Sequence, residues 1–313
     1  MRDWLERHQA LIYLAAVVLA AGAALAVEGT QQLQGLINPA LGLMLYLTFL
    51  QVPLSAMRSA FSQRRFLVAL LATNFIAIPL LVWALSGLLP PDELLRFGAL
   101  LVLLAPCIDY VVTFAHMGKA DARLLLAATP LLLLVQMLLL PVYLGLLLGQ
   151  RVVGLMQPAP FVQAFVWLIA VPLLLAWLTQ RWAARSRQGE RVQQVLGVLP
   201  VPATALVLFV VIAAVVPQLE AARSAVWAVL PVYLVFAVLA PVVGWLVARW
   251  FQLAPGALRA VAFSGSTRNA LVVLPLALAV PGAMPVLPAV IVTQTLVELF
   301  SELVYVHVLA RLR

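Results

Sequence analysis

Ten runs of mostly apolar residues follow one another along this chain, at 10–27, 34–54, 65–89, 95–116, 122–148, 159–179, 193–216, 224–248, 257–280 and 286–309. At a helical rise of about 1.5 Å per residue, each is long enough to cross a hydrocarbon layer of about 30 Å. Inside lipid the backbone must satisfy its own hydrogen bonds, so runs of this kind fold as helices. The fold class expected is an all-α membrane protein of about ten transmembrane helices. Pro39 and Pro53 in the second run, and Pro200 and Pro202 in the seventh, are expected to bend or divide those spans. Composition points the same way, with 65% of residues hydrophobic and only 10% charged. A soluble domain carries roughly a quarter of charged residues. The lipid bilayer is therefore the first partner, and a soluble globular protein is excluded.

The formal charge of +8 is not a nucleic-acid signature, because the basic residues lie in short clusters between apolar runs rather than on one polar face. They alternate. Arg2 and Arg7, then Arg58, Arg64 and Arg65, then Lys119 and Arg123, then Arg181, Arg185, Arg187 and Arg191, then Arg249 and Arg259, then Arg311 and Arg313 fall on one side. The other side holds Arg96, Arg151 and Arg223 with Asp92, Glu93 and Glu220. The positive-inside rule places both termini in the cytoplasm of a multi-pass protein of the inner (plasma) membrane. Arg2 and Arg7 before an apolar run ending in small residues imitate a secretory signal, but 10–27 is long enough to span, and its removal would break the charge alternation. No cleavage is expected.

Spans one to five occupy 1–148 and spans six to ten occupy 159–313, joined by a linker at 149–158. Five spans per half means that two halves sharing a fold must be inverted, the plan of many secondary transporters. Span four then corresponds to span nine. Both carry patches that are costly in lipid: Ala105-Pro106-Cys107-Ile108-Asp109-Tyr110 and Ser264-Gly265-Ser266-Thr267-Arg268-Asn269. Broken helices persist at that depth where they line a cavity, because freed N–H and C=O groups can bind solute or ions. These two spans are expected to be broken and to cross.

Asp109 and Arg268 are ionisable groups near mid-membrane, where an unpaired charge costs at least ~2.5 kcal/mol, so they are expected to pair. The pair is read either as a structural lock or as a site where protonation of Asp109 frees Arg268 for an anionic or hydroxylated substrate. Cys107 is the only cysteine. It excludes an intrachain disulfide and a multi-cysteine metal site, and is read either as a small buried hydrophobe or as a soft ligand for a centre such as trivalent arsenic. Gln294, Glu298 and Glu302 form one stripe on span ten. Glu298 is read as a proton carrier or a structural acid, and Glu302 as a structural acid or a group snorkelling to the surface. Asn74, Thr113, Gln136 and Thr293 read as interhelical glue, and His116 as interfacial. The chain has no nucleotide-binding fingerprint, so ATP-driven transport is not expected, nor is any cofactor or metal. A channel, or an intramembrane enzyme with Ser264 or Ser266 as nucleophile and His116 as base, is the reading from another class.

Leu104-Ala105-Pro106-Cys107, followed by Gly118-Lys119-Ala120-Asp121, resembles the arsenite efflux permeases of the bile acid/arsenite transporter superfamily. Phe263 to Asn269, and Ile37-Asn38-Pro39-Ala40-Leu41-Gly42-Leu43-Met44, are similar to the same group. The resemblance implies a non-enzymatic secondary transporter of two inverted five-helix repeats that binds a small solute where its broken spans cross. It also implies that Cys107 acts in arsenite efflux. The residues and the resemblance together give as expected contacts Cys107, Thr267, Arg268 and Asn269 for substrate, Asp109 and Glu298 for coupling, and Pro106 and Gly265 as the crossover.

The chain departs from that pattern in span nine. The permeases share a Thr-Gly-Ala-Ser-Asn-Asn-Phe-Glu run, whose glutamate position here falls at Leu271 while Arg268 enters the motif. Asp109 or Glu298 would have to replace that acid, or the substrate and coupling differ. The sodium-coupled bile acid and organic anion symporters, the sister branch, place a Glu and a Gln near the same crossover. Those positions read here as Ser264 and Arg268, or as Phe263 and Thr267. Neither alignment supplies the acid, and a fixed positive charge disfavours sodium, so proton coupling or uniport is expected ahead of sodium coupling. Arginine suits an organic anion, which keeps that substrate class open beside arsenite.

Overall fold

The computed structural model describes residues 2–51, 63–149, 162–163, 166–278, 280 and 282–312. Pro53, Arg58, Arg151, Arg313 and the linker beyond Gly149 lie outside the described residues. Helix α1 spans Arg2–Ala26, and a 3-10 stretch at Thr30–Leu36 runs into α2, Ile37–Leu50. Helix α3, Arg64–Ala72, passes through a π-turn at Thr73–Ala77 into α4, Ile78–Ser86. Then come α5 (Glu93–Leu103), α6 (Val111–Met117) and α7 (Ala122–Leu148). A π-turn at Val166–Ala170 leads into α8, Val171–Ala183. The rest are α9 (Arg187–Leu196), α10 (Pro200–Val215), α11 (Arg223–Trp250), α12 (Pro255–Ser266), α13 (Ala270–Leu278) and α14 (Val286–Val308).

Eight helices among the described residues are long and apolar enough to cross a membrane without interruption. The fourth and ninth runs are the ones that break, into α5 and α6 and into α12 and α13. The protein is an all-α membrane protein, as expected. The prolines act differently from expectation: Pro39 lies in the first turn of α2, and Pro200 and Pro202 in the first turn of α10. A first-turn N–H has no intrahelical acceptor, so these prolines start helices rather than bend them. The run 193–216 is accordingly not one span. Its first residues belong to the polar helix α9, capped by the Ser186 hydroxyl, which accepts from Gln188 N at 3.2 Å.

A different proline explains the π-turn before α4. The ring of Pro79 displaces the carbonyl four residues back, that of Phe75, and the backbone widens there. The freed Phe75 carbonyl accepts the Tyr143 hydroxyl of α7 at 2.6 Å. Asn74 sits inside this widened turn, fully buried.

The chain folds as two compact units that do not follow its two halves; each unit draws on both. One unit holds residues 1–53 and 158–221. Within it α10 packs on α1 and α2, and α8 packs on α2. Gln180 Nε2 donates to carbonyls in the last turn of α2, Phe49 O at 3.2 Å and Leu50 O at 3.3 Å.

The other unit holds 54–157 and 222–313, and with them both broken spans. Helices α11 and α12 pack so closely that a Cβ at Gly244 would lie 2.9 Å from Ala262 Cα. Helix α14 packs against α5, α6, α11 and α13. It thereby reaches three of the four halves of the broken spans.

Candidate functional site

Span four breaks where proline removes a donor: Pro106 cannot bond back along a helix, and the residue before it is driven to extended backbone. Span nine breaks at Thr267, whose φ of −102° and ψ of 130° are those of a strand. The two breaks meet as a single antiparallel β-bridge between Pro106 and Arg268. Asn269 N donates to Ala105 O at 2.7 Å, and Cys107 N donates to Thr267 O at 3.1 Å. In this pairing the two opposed residues exchange no bond with each other, so Pro106 needs no N–H. The expectation that the spans cross is met, with Pro106 at the crossing point. Gly265 serves close packing: a Cβ there would lie 2.9 Å from Thr73 Cγ2 and 3.6 Å from Gly244 Cα.

The expected ion pair between Asp109 and Arg268 is not formed. Arg268 is fully buried, and its Nη2 donates to Ser264 O at 2.6 Å, Gly265 O at 2.8 Å and Asn74 Oδ1 at 3.0 Å, with Nη1 at 3.4 Å from Leu103 O. Its guanidinium also lies 5.7 Å from the centre of the Phe236 ring. Ser264 and Gly265 are in the last turn of α12, where carbonyls lack helical partners and the helix dipole is negative. A cation is stabilised there without a carboxylate. Asp109 bonds locally instead, its Oδ1 accepting Tyr110 N at 2.6 Å and the Cys107 thiol at 3.0 Å. Asp109 Oδ2 is buried without a partner.

The acids of α14 hold the crossing from the other side. Glu298 Oε2 accepts the main-chain N–H of Arg268 at 2.6 Å and Gln294 Nε2 at 2.6 Å, while Oε1 accepts the Tyr110 hydroxyl. Glu302 accepts the Thr267 hydroxyl and has no exposed surface, so it does not snorkel. The stripe Gln294, Glu298, Glu302 is thus buried along its length. A small cavity beside Glu298 is lined by Gln294, Ser266, Tyr233, Phe236 and Tyr305.

Asn269 completes the site. Its Oδ1 lies 3.4 Å from Val272 N at the start of α13, and its Nδ2 is buried with no partner.

Asn74, expected as interhelical glue, ties span three to span nine. Its Oδ1 holds Arg268 while its Nδ2 donates to Ser264 Oγ at 2.9 Å and Leu70 O at 3.1 Å. Thr293 bonds within its own helix, to Ala289 O at 2.7 Å, and Gln136 is buried with both amide atoms unpartnered. Ser264 is engaged by Asn74, Ser266 donates to Ala262 O and Phe263 O, and His116 is exposed. No serine–histidine pair forms among these residues.

A multi-pass helical protein with two interrupted spans bridged through their backbones has the build of a secondary transporter. Residues 38–222, more than half of the chain, match the family described as Sodium Bile acid symporter family, and the chain belongs to that family of membrane transporters. No curated protein matches it.

Proposed function

We propose that this chain is a secondary carrier for a small organic anion, seated at the N-terminal end of α13. The observation that carries the reading is Asn269: its amide oxygen faces its own helix, leaving Nδ2 as a buried donor without an acceptor. A helix N-terminus and a spare N–H donor are the chemistry that recognises a carboxylate or sulfonate. Arg268, spent on carbonyls, supports the site from behind rather than gripping the anion. Asp109, Glu298 or both carry protons if transport is proton-linked; otherwise the protein is a uniporter. The two halves act as inverted repeats in a plasma membrane, with both termini cytoplasmic.

The test is counterflow in proteoliposomes with a panel running from small hydroxy acids to taurocholate. Saturable exchange is expected, and it is expected to be lost in Asn269→Asp, which sets a like charge against the anion. Non-saturable flux would instead indicate a channel.

A second reading, arsenite efflux, rests on a different observation. The Cys107 thiol donates to Asp109 Oδ1 at 3.0 Å, so a base stands ready to take the proton of a soft ligand at the crossing. Arsenite accumulation in arsenite-sensitive cells tests it. Lower accumulation with the wild-type chain, abolished in Cys107→Ala, supports this reading over the first; no difference from empty cells removes it.

A further inference from the structure

We infer that Arg268 is a tethered cation occupying an oxygen site that would otherwise take a free monovalent metal ion, so that the carrier needs no such ion there. The inference deepens the transporter reading and rests on it only for its consequence in transport.

The ligand set is the argument. Every partner of the guanidinium is a neutral oxygen: two carbonyls from the open end of α12, the amide oxygen of Asn74, and more distantly the carbonyl of Leu103 at the end of α5. The nearby carboxylates are engaged with other groups: Glu298 with the Arg268 main chain, Glu302 with Thr267, and Asp109 with Cys107 and Tyr110. Carbonyl and amide oxygens converging on one point are the ligands of hard cations, and half-helix C-terminal ends are where transporters hold them.

The oxygens are held in place independently of the arginine. Asn74 is fixed by the bonds from its nitrogen to Ser264 Oγ and Leu70 O, and it sits in the π-turn that Pro79 enforces. The α12 carbonyls are free because the span ends there. The guanidinium meets this cradle through Nη1 and Nη2, its Nε being buried without a partner, and its tether to the chain keeps the charge there. Truncating the side chain would strand those buried acceptors, and of what could fill the space a cation meets several of them at once where a water gives each of its two protons to one.

The full-length protein, purified in detergent, decides this by its melting temperature in sodium, potassium and choline chloride at equal ionic strength. Wild type is expected to melt at one temperature in all three. Arg268→Ala is expected to melt lower in choline and to recover by about 3 °C or more in sodium or with low-millimolar guanidinium. Sodium stabilisation of wild type, or a folded Arg268→Ala that ignores every cation, would overturn the inference. Should Arg268→Ala yield no folded protein, Arg268→Lys decides. Its ammonium keeps a cation at the oxygens, so it should melt above Arg268→Met in choline, and equality of the two overturns the inference. The readout needs no substrate, so its failure leaves the carrier assignment standing, and failure of counterflow leaves this result standing.

Discussion

Glu298 grips Arg268 by its backbone: the carboxylate accepts the arginine's main-chain N–H at 2.6 Å, while the guanidinium turns away to Asn74 at 3.0 Å. The acid is a clamp on the crossing rather than a counter-ion. Glu298→Ala takes the acceptor from the buried Arg268 N–H and from Gln294 Nε2, at about 1–3 kcal/mol each, and leaves the Tyr110 hydroxyl only Arg268 O at 3.5 Å. The expected outcome is a clear fall in thermal stability in detergent, against a change within about 0.5 kcal/mol for the exposed control Glu28→Ala.

Asp109 has one oxygen bound and one bare. Asparagine mimics its protonated form without the ability to release the proton. In a proton-linked carrier Asp109→Asn should abolish net uptake and flatten its pH profile while sparing solute exchange. Net transport with an unchanged pH profile would remove Asp109 from coupling.

Cys107 separates two chemistries. Serine keeps a donor for Asp109 but is no soft ligand. If the thiol only donates a hydrogen bond, Cys107→Ser should keep transport within about twofold of wild type and Cys107→Ala should weaken it. If it binds arsenic, both variants should lose arsenite efflux alike.

The contact between α11 and α12 has no spare room. A Cβ at Gly244 meets backbone at 2.9 Å, which cannot rotate away, so Gly244→Ala should cost about 1–3 kcal/mol. Gly22, in helix α1, has nothing within 4 Å of its Cβ position, and Gly22→Ala should be neutral or stabilising by up to about 1 kcal/mol. Thermal melts of the two variants side by side check this.

The spans and the two breaks were legible because hydropathy and helix-breaking residues are local properties. Pro106 with Asp109 close behind it, and the polar run from Ser264 to Asn269, mark interruptions because polar groups accompany the break, whereas Pro130 and Pro141 lie inside the unbroken α7. The partner of Arg268 was not legible. Opposite charges invite pairing on paper, whereas the carbonyls that hold it belong to Ser264 and Gly265 through atoms every residue has. Asn74 was legible as interhelical glue but its partners were not, since a lone amide in an apolar run does not name the Arg268 and Ser264 it meets on span nine. Glu302 was ambiguous because its depth depends on where α14 sits. The composition of the two compact units escaped detection too, since apolar periodicity says which face is buried but not against which helix.

The joint between the broken spans is made of main chain at Ala105, Cys107, Thr267 and Asn269. Any substitution except proline at the two donors, Cys107 and Asn269, leaves both bonds chemically available, so the scaffold and the solute preference can drift separately. A lineage could rewrite every side chain that meets the cargo and still inherit the same X-shaped strut.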